Sequence, residues 1–252
     1  MNGFHEWYYP GGYIYSVGNR PPRTAQWSHD GWELFFIFNP DEATEARVTA
    51  CFYYEDAPPR DAQWTVLPAS SVLYGLFRPE FDEWTRGGNV PFAIRLQADR
   101  PVYPHVTRAE YEPWSNQTPG AMLGVPPHPG PLDDHTHTTW YYADGLVLDD
   151  EAQPLMQQEW ISILNPGLQD NPVTITFFLP DGPVEHHLEI GAERVATVYV
   201  ETLPIVPSGV HYGVRVRAHA PIVVQQTRRA LEKGGYPSTR AIFGTMALPA
   251  NA

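Results

Sequence analysis

The chain has 252 residues, a formal net charge of −13 and one cysteine, Cys51. That charge argues against nucleic acid as a partner, because binding there rests on neutralised phosphates. A single cysteine excludes an internal disulfide framework and a thiolate zinc site. Met1-Asn-Gly-Phe-His-Glu-Trp7 has neither the basic nor the apolar part of a signal peptide, and no run approaches the ~18 apolar residues of a membrane helix, so a cytoplasmic, non-inserted protein is expected.

In chain order, residues 7–15 predict a first strand and a bend at Gly11-Gly12, and 19–24 a loop. Trp32 to Phe38 is a nearly continuous apolar run of strand length, predicting a strand covered on both faces. Asn39-Pro-Asp41 reads as a turn. Val48–Tyr54, Trp64–Leu67 and Ser71–Leu76 predict three further strands, and 77–90 a long loop with one helical turn. Strands at 92–98 and 102–107 follow. Val125-Pro-Pro-His-Pro-Gly-Pro131 predicts a semi-rigid linker or exposed loop. No stretch keeps a period of 3.6, so the pattern is that of an antiparallel all-β sandwich or barrel.

The second half repeats this pattern. Trp7-Tyr-Tyr matches Trp140-Tyr-Tyr, Glu33-Leu-Phe-Phe-Ile-Phe-Asn-Pro40 matches Glu159-Trp-Ile-Ser-Ile-Leu-Asn-Pro166, and Val48-Thr-Ala-Cys-Phe-Tyr53 matches Val173-Thr-Ile-Thr-Phe-Phe178. Trp64–Ala69 matches His187–Ala192, and Pro101–Arg108 matches Pro221-Ile-Val-Val-Gln-Gln-Thr-Arg228. The offsets fall in order through 133, 126, 125, 123 and 120, as a duplicated unit with changing loop lengths requires. The expected organisation is therefore two tandem antiparallel β-sandwich domains, 1–130 and 131–252, each large enough to hold a core.

Chemistry-bearing residues recur with the repeat. Glu33 with Arg108, and Glu159 with Arg228, are charged residues inside apolar strands. They read either as salt bridges fixing strand register or as pocket groups gripping ligand hydroxyls or a carboxylate. Trp7 and Trp140 read as core anchors or as stacking faces for a sugar ring. Cys51 reads as a buried small hydrophobe. His135 and His137, two apart near Asp133 and Asp134, are candidate metal ligands if a third histidine joins them from His29, His105, His186 or His211. No phosphate loop, nucleophile elbow or catalytic triad spacing is present, and no cofactor is expected, a divalent metal being the alternative.

The series Trp140, Gly145, Glu159, Ile163, Asn165, Gly167, Val173–Phe178 and Pro221–Arg228, echoed by Trp7, Glu33, Asn39, Val48 and Thr107-Arg108, resembles the Anabaena sensory rhodopsin transducer family. The resemblance implies a small β-sandwich shaped like a carbohydrate-binding module (jelly-roll-like), an assembly of four sandwiches, and recognition of a sugar-like metabolite. Two departures stand out. The family's Ser-His-Glu becomes Ser28-His29-Asp30-Gly-Trp-Glu33, and its histidine before Thr-Arg becomes Val106 or Gln226, with His105 one place earlier. A one-residue step along a strand changes faces, so His105 is not expected at that histidine's place.

The resulting expectation is a non-catalytic, sensory or regulatory binding protein for a sugar or sugar acid. Its ligand residues would be Trp7, His29, Glu33, His105 and Arg108 in one copy and Trp140, Glu159, Gln226 and Arg228 in the other. A homodimer would supply four sandwiches. The alternatives are a metal-dependent carbohydrate lyase, isomerase or hydrolase built on the histidines, and a scaffolding subunit.

Overall fold

The computed structural model describes residues 4–14, 31–76, 79–86, 90–111, 119–125, 127–132, 137–148, 155–232, 239–246 and 248–249. His29, Asp133, Asp134, His135 and the 19–24 loop lie outside the described residues. The chain divides into two compact units, Met1–Pro131 and Leu132–Ala252. Both are all-β.

The first unit contains β1 (Glu6–Ile14), β2 (Gly31–Asn39), β3 (Ala46–Tyr54), β4 (Arg60–Val66), β5 (Ser70–Gly75), the short helix α1 (Asp82–Thr85), β6 (Val90–Ala98), β7 (Tyr103–Tyr111), β8 (Pro119–Val125) and β9 (His128–Pro129). The second contains β10 (Thr139–Leu146), β11 (Leu155–Asn165), β12 (Asn171–Leu179), β13 (Gly182–Ile190), β14 (Arg194–Tyr199), β15 (His211–Ala218), β16 (Val223–Glu232), β17 (Thr239–Met246) and β18 (Leu248–Pro249). Strand order is β4-β3-β6-β1-β9 over β5-β2-β7-β8 in the first unit. It is β13-β12-β15-β10-β18 over β14-β11-β16-β17 in the second, strand for strand the same. All described ladders are antiparallel, and the registers agree too: Glu33 faces Arg108 across β2 and β7, and Glu159 faces Arg228 across β11 and β16.

Alternation drives each sandwich together. In β4, Ala62, Trp64 and Val66 are buried while Asp61, Gln63 and Thr65 are exposed. Period two puts alternate side chains on one face, and burying that face removes it from water. The first core packs Phe35, Phe52 and Trp64, with Trp64 stacked on Tyr74 at 4.3 Å between centroids. The second packs Trp140, Ile161, Ile163, Phe177 and Val216.

Two sequence expectations need correction, and a third gains a role. β2 is covered fully on one face only: Phe35 and Ile37 are buried, while Phe38 on the other face is exposed. The proline tract after Val125 contributes a strand: Trp7 pairs with Pro129 and Tyr8 with His128, and Gly130 N–H donates to the Glu6 carbonyl at 2.8 Å. Proline is tolerated there because an edge strand has one side without a ladder to complete, and Pro249 occupies the same place opposite Trp140. Finally, Asn39 and Asn165 are buried clamps at their turns. The Asn39 amide donates to the carbonyls of Thr44, Val66 and Leu67 at 2.9–3.3 Å, and its Oδ1 accepts from Asp41 N–H. Asn165 donates to Gln169, Ile190 and Gly191 at 2.8–3.2 Å and accepts from Gly167 N–H. One side chain thus ties together the ends of three segments.

Candidate functional site

The polar centre of each unit is its buried glutamate. Period two aims residue 33 or 159 between the sheets, and the antiparallel register sets arginine 108 or 228 beside it. Both glutamates are fully buried. Each accepts from a tyrosine hydroxyl and from the backbone N–H that follows the glycine bulge of the facing strand. For Glu33 these are Tyr9 Oη at 3.1 Å and Tyr13 N at 3.2 Å, with Arg108 Nη1 at 3.6 Å. For Glu159 they are Tyr212 Oη at 2.8 Å, Tyr142 Oη at 3.5 Å, Leu146 N at 3.2 Å and Arg228 Nε at 3.1 Å.

The bulge itself needs glycine. A Cβ on Gly145 would lie 2.0 Å from the Tyr212 ring, and one on Gly12 would lie 2.3 Å from the Phe92 ring. The ring lies against the missing side chain, and in the second unit this places the Tyr212 hydroxyl on Glu159.

Burial raises the Glu159 carboxyl above its ordinary value, outweighing the opposing pull of Tyr212, Leu146 N–H and Arg228. Burial and the Glu159 charge together push the Tyr212 and Tyr142 hydroxyls well up, so both stay protonated donors. Arginine remains charged at any accessible pH. The arrangement is a held ion pair with tyrosine donors.

The two units differ at the arginine head. Arg108 is 1% exposed, with its guanidinium 5.6 Å from the Tyr13 ring centroid. In the second unit the residue at that bulge position is Leu146. The Arg228 side chain is 14% exposed and reaches Asp144, whose own side chain is 78% exposed. Arg228 donates to the Asp144 carbonyl and carboxylate, the latter at 3.4–3.5 Å, while Gln226 Nε2 donates to the same carbonyl at 3.1 Å. Gly11 stands at the corresponding place in the first unit. The second unit's network therefore reaches solvent through Arg228, Gln226 and Asp144.

Other candidates lie elsewhere. Trp7 Nε1 donates to the Val102 carbonyl at 3.1 Å, and Trp140 Nε1 to the His137 carbonyl at 3.0 Å, which also accepts from Ile222 N–H. Val102 and Ile222 each precede their arginine by six strand steps, about 20 Å at 3.3 Å per step. Each tryptophan thus anchors the end of its sandwich opposite to the ion pair, and the two are not walls of one cleft. His105 is exposed on the outer face of β7, ring to ring with Phe36 at 6.4 Å, while Val106 is buried on the inner face. His137 is buried against Trp140. Among the described residues no group of three or more His, Cys, Asp or Glu is placed to hold a metal ion. Also among them, no helix is long and apolar enough to cross a membrane.

Sequence reasoning missed Tyr212 and Asp144. The usable signal was the Gly145 bulge, since a glycine inside a strand marks the close approach of another group.

Residues 135–248 match the sequence model of the family described as Anabaena sensory rhodopsin transducer. Among solved structures, the Anabaena sensory rhodopsin transducer is similar at 27% identity, covering 37% of this chain and 96% of its own, with a TM-score of 0.32. A Thermotoga maritima protein is similar at 23% identity, covering 45% and 94%, with a TM-score of 0.37. No curated protein matches the chain.

Proposed function

We propose that this chain, whose residues 135–248 form a domain of the Anabaena sensory rhodopsin transducer family, is a non-catalytic binding protein for a small polar metabolite of the sugar or sugar-acid class. Its first half is a second, diverged copy of the same unit. The ligand docks on the second unit where Arg228 emerges. The observation that carries this reading is the asymmetry of Arg228. Its Nε is fixed from behind by the buried Glu159, and its outer nitrogens are engaged by the exposed Asp144. A ligand carboxylate or pair of hydroxyls takes the place of the Asp144 carboxylate, whose own side chain is 78% exposed. In the first unit Tyr13 lies on Arg108, and that copy serves as structure. A homodimer bringing four sandwiches together in the cytoplasm belongs to the same proposal and is tested by light scattering after size exclusion.

The test of binding is a thermal-shift and calorimetric screen of neutral sugars and sugar acids. A ligand at a hundred times its dissociation constant adds about 2.7 kcal/mol to stability. Asp144→Ala is expected to keep or tighten binding, and Arg228→Gln to abolish it. Absence of any binder across both classes, or a binder indifferent to both variants, would overturn the assignment.

A further inference from the structure

Each sandwich has two outer faces, one on its four-stranded sheet and one on its five-stranded sheet. The two units carry these faces in opposite states. On the four-stranded sheet of the first unit Phe38 is 42% exposed and Tyr103 37%, whereas Leu164 and Val223, at the same register in the second unit, are fully buried. On the five-stranded sheet the order reverses. Tyr141 is 44% exposed and Phe178 43%, whereas Tyr8 and Tyr53, at the same register in the first unit, are buried. Either kind of face is therefore kept from water in one copy of the unit and left open in the other.

The open face of the first unit is apolar across three neighbouring strands. Leu34, Phe36 and Phe38 come from β2, Leu73 from β5, and Tyr103 and His105 from β7. Phe38 meets Tyr103 and Phe36 meets His105, each at 6.4 Å between ring centroids. Among the described residues this face holds no Asp, Glu, Lys or Arg, in a chain with a net charge of −13. A contiguous apolar patch in water marks an interaction surface. The open face of the second unit has the complementary chemistry. Arg215 stands between Tyr141 and Thr176, with its guanidinium 5.6 Å from the Phe178 ring centroid, and the exposed Arg217 follows two residues on. Guanidinium groups set on aromatic rings gain cation–π attraction. Pairing the second unit's face with its own copy would instead bring four of these arginines together, which like-charge repulsion opposes.

We propose that the open face of the first unit's four-stranded sheet docks on the open face of the second unit's five-stranded sheet in another copy of this chain. The proposal rests on the homodimer put forward above and assigns its surfaces. Each chain carries one open face of either kind, so two chains related by a twofold axis make the same contact twice, and the assembly closes at two. With strands ~4.8 Å apart and ~3.3 Å per residue, a four-stranded sheet built on the nine-residue β2 presents a face of about 500 Å². Two such contacts cover about 1,000 Å² on each chain, above the ~800 Å² per partner of a standard interface.

The test is light scattering after size exclusion, on single variants and on their mixture. The unaltered chain is expected to run as a dimer. Phe38→Asp and Tyr141→Asp each spoil one side of every contact, so each alone should run as a monomer of 28.4 kDa. A carboxylate set in an apolar contact should raise the dimer dissociation constant about a hundredfold or more. Mixed in equal amounts, the two variants retain one intact contact, because each supplies the face that the other has lost, and a mixed dimer should form. Urea unfolding checks that each variant folds, and Phe38→Ser with Tyr141→Ser repeats the mixing where aspartate unfolds the chain. A dimer that survives either single variant, or folded monomeric variants that do not combine, would overturn this assignment of faces and leave a homodimer standing. A monomeric unaltered chain overturns both. Sugar-acid binding at Arg228 is read separately by calorimetry, and neither result decides the other.

Discussion

Gly145→Ala tests whether the aromatic ring of β15 positions the buried glutamate. The new methyl would meet Tyr212 Cε2, Cδ2 and Cζ at 2.0, 2.3 and 2.7 Å, against a normal carbon contact of about 3.5–4.0 Å. The ring must therefore move by more than an ångström, and its hydroxyl, 2.8 Å from Glu159, moves with it. Overpacking of this kind costs about 1–3 kcal/mol, and a lost hydrogen bond to a charged partner about 1.5–3. The lower entropy of the unfolded alanine chain returns about 0.4–1. The net expected cost is about 1.5–5.5 kcal/mol. Gly12→Ala supplies the control. Its methyl meets the Phe92 ring at 2.3 Å, but Phe92 has no hydroxyl and Tyr9 continues to hold Glu33. Only the packing penalty less the same entropy return, about 0–2.5 kcal/mol, is expected there. Urea unfolding gives the free energies, and hydrogen exchange of β10 and β15 against β1 and β6 assigns each loss to its unit. In a Tyr212→Phe background the excess cost of Gly145→Ala should vanish. If Gly145→Ala costs no more than Gly12→Ala, the ring is not what positions Glu159.

Two further outcomes follow from the buried polar groups. Asn165→Asp removes the amide that three carbonyls share and sets a carboxylate among them. It should destabilise the second unit by about 3–5 kcal/mol at neutral pH and by less below about pH 4, where the new acid protonates, as urea midpoints at the two pH values will show. Glu159 has a folded value raised above its ordinary 4.5 by burial. Its contribution is therefore fully present below the unfolded value and is lost as pH rises through the folded one. The unfolding free energy of the natural protein relative to Glu159→Gln should fall as pH rises above the ordinary carboxyl value of 4.5, and a difference that grows with pH would contradict the raised value.

The strand order and the register of the ion pair were legible because they follow from local signals. Alternation, a strand-ending Asn-Pro and a shared Thr-Arg each occur within a few residues, and duplication wrote every signal twice. Even so, Asn39 and Asn165 look like ordinary turn residues in the sequence. Their role depends on the carbonyls of Val66, Leu67, Ile190 and Gly191, about 25 residues distant, which the turn alone does not reveal. The tryptophans illustrate the opposite error. Trp7 and Trp140 share a strand and a face with the tyrosines near the glutamates, so a shared cleft is the natural reading. The length of β7 and β16 separates them, and length along a strand is not visible in which residue types recur.

A face is harder to read than a strand. Asp61, Cys51, Arg95 and Tyr8 come from β4, β3, β6 and β1, and only the sheet order puts them side by side. Tyr8 and Cys51 are buried there, while Tyr141, in the place of Tyr8 in the second unit, is exposed. The buried arginines also differ between the units, Arg108 lying against Tyr13 and Arg228 reaching the exposed Asp144. Strand order and register are common to the two units while each arginine's outer partner differs, and such a difference becomes legible only once the register sets the two units side by side.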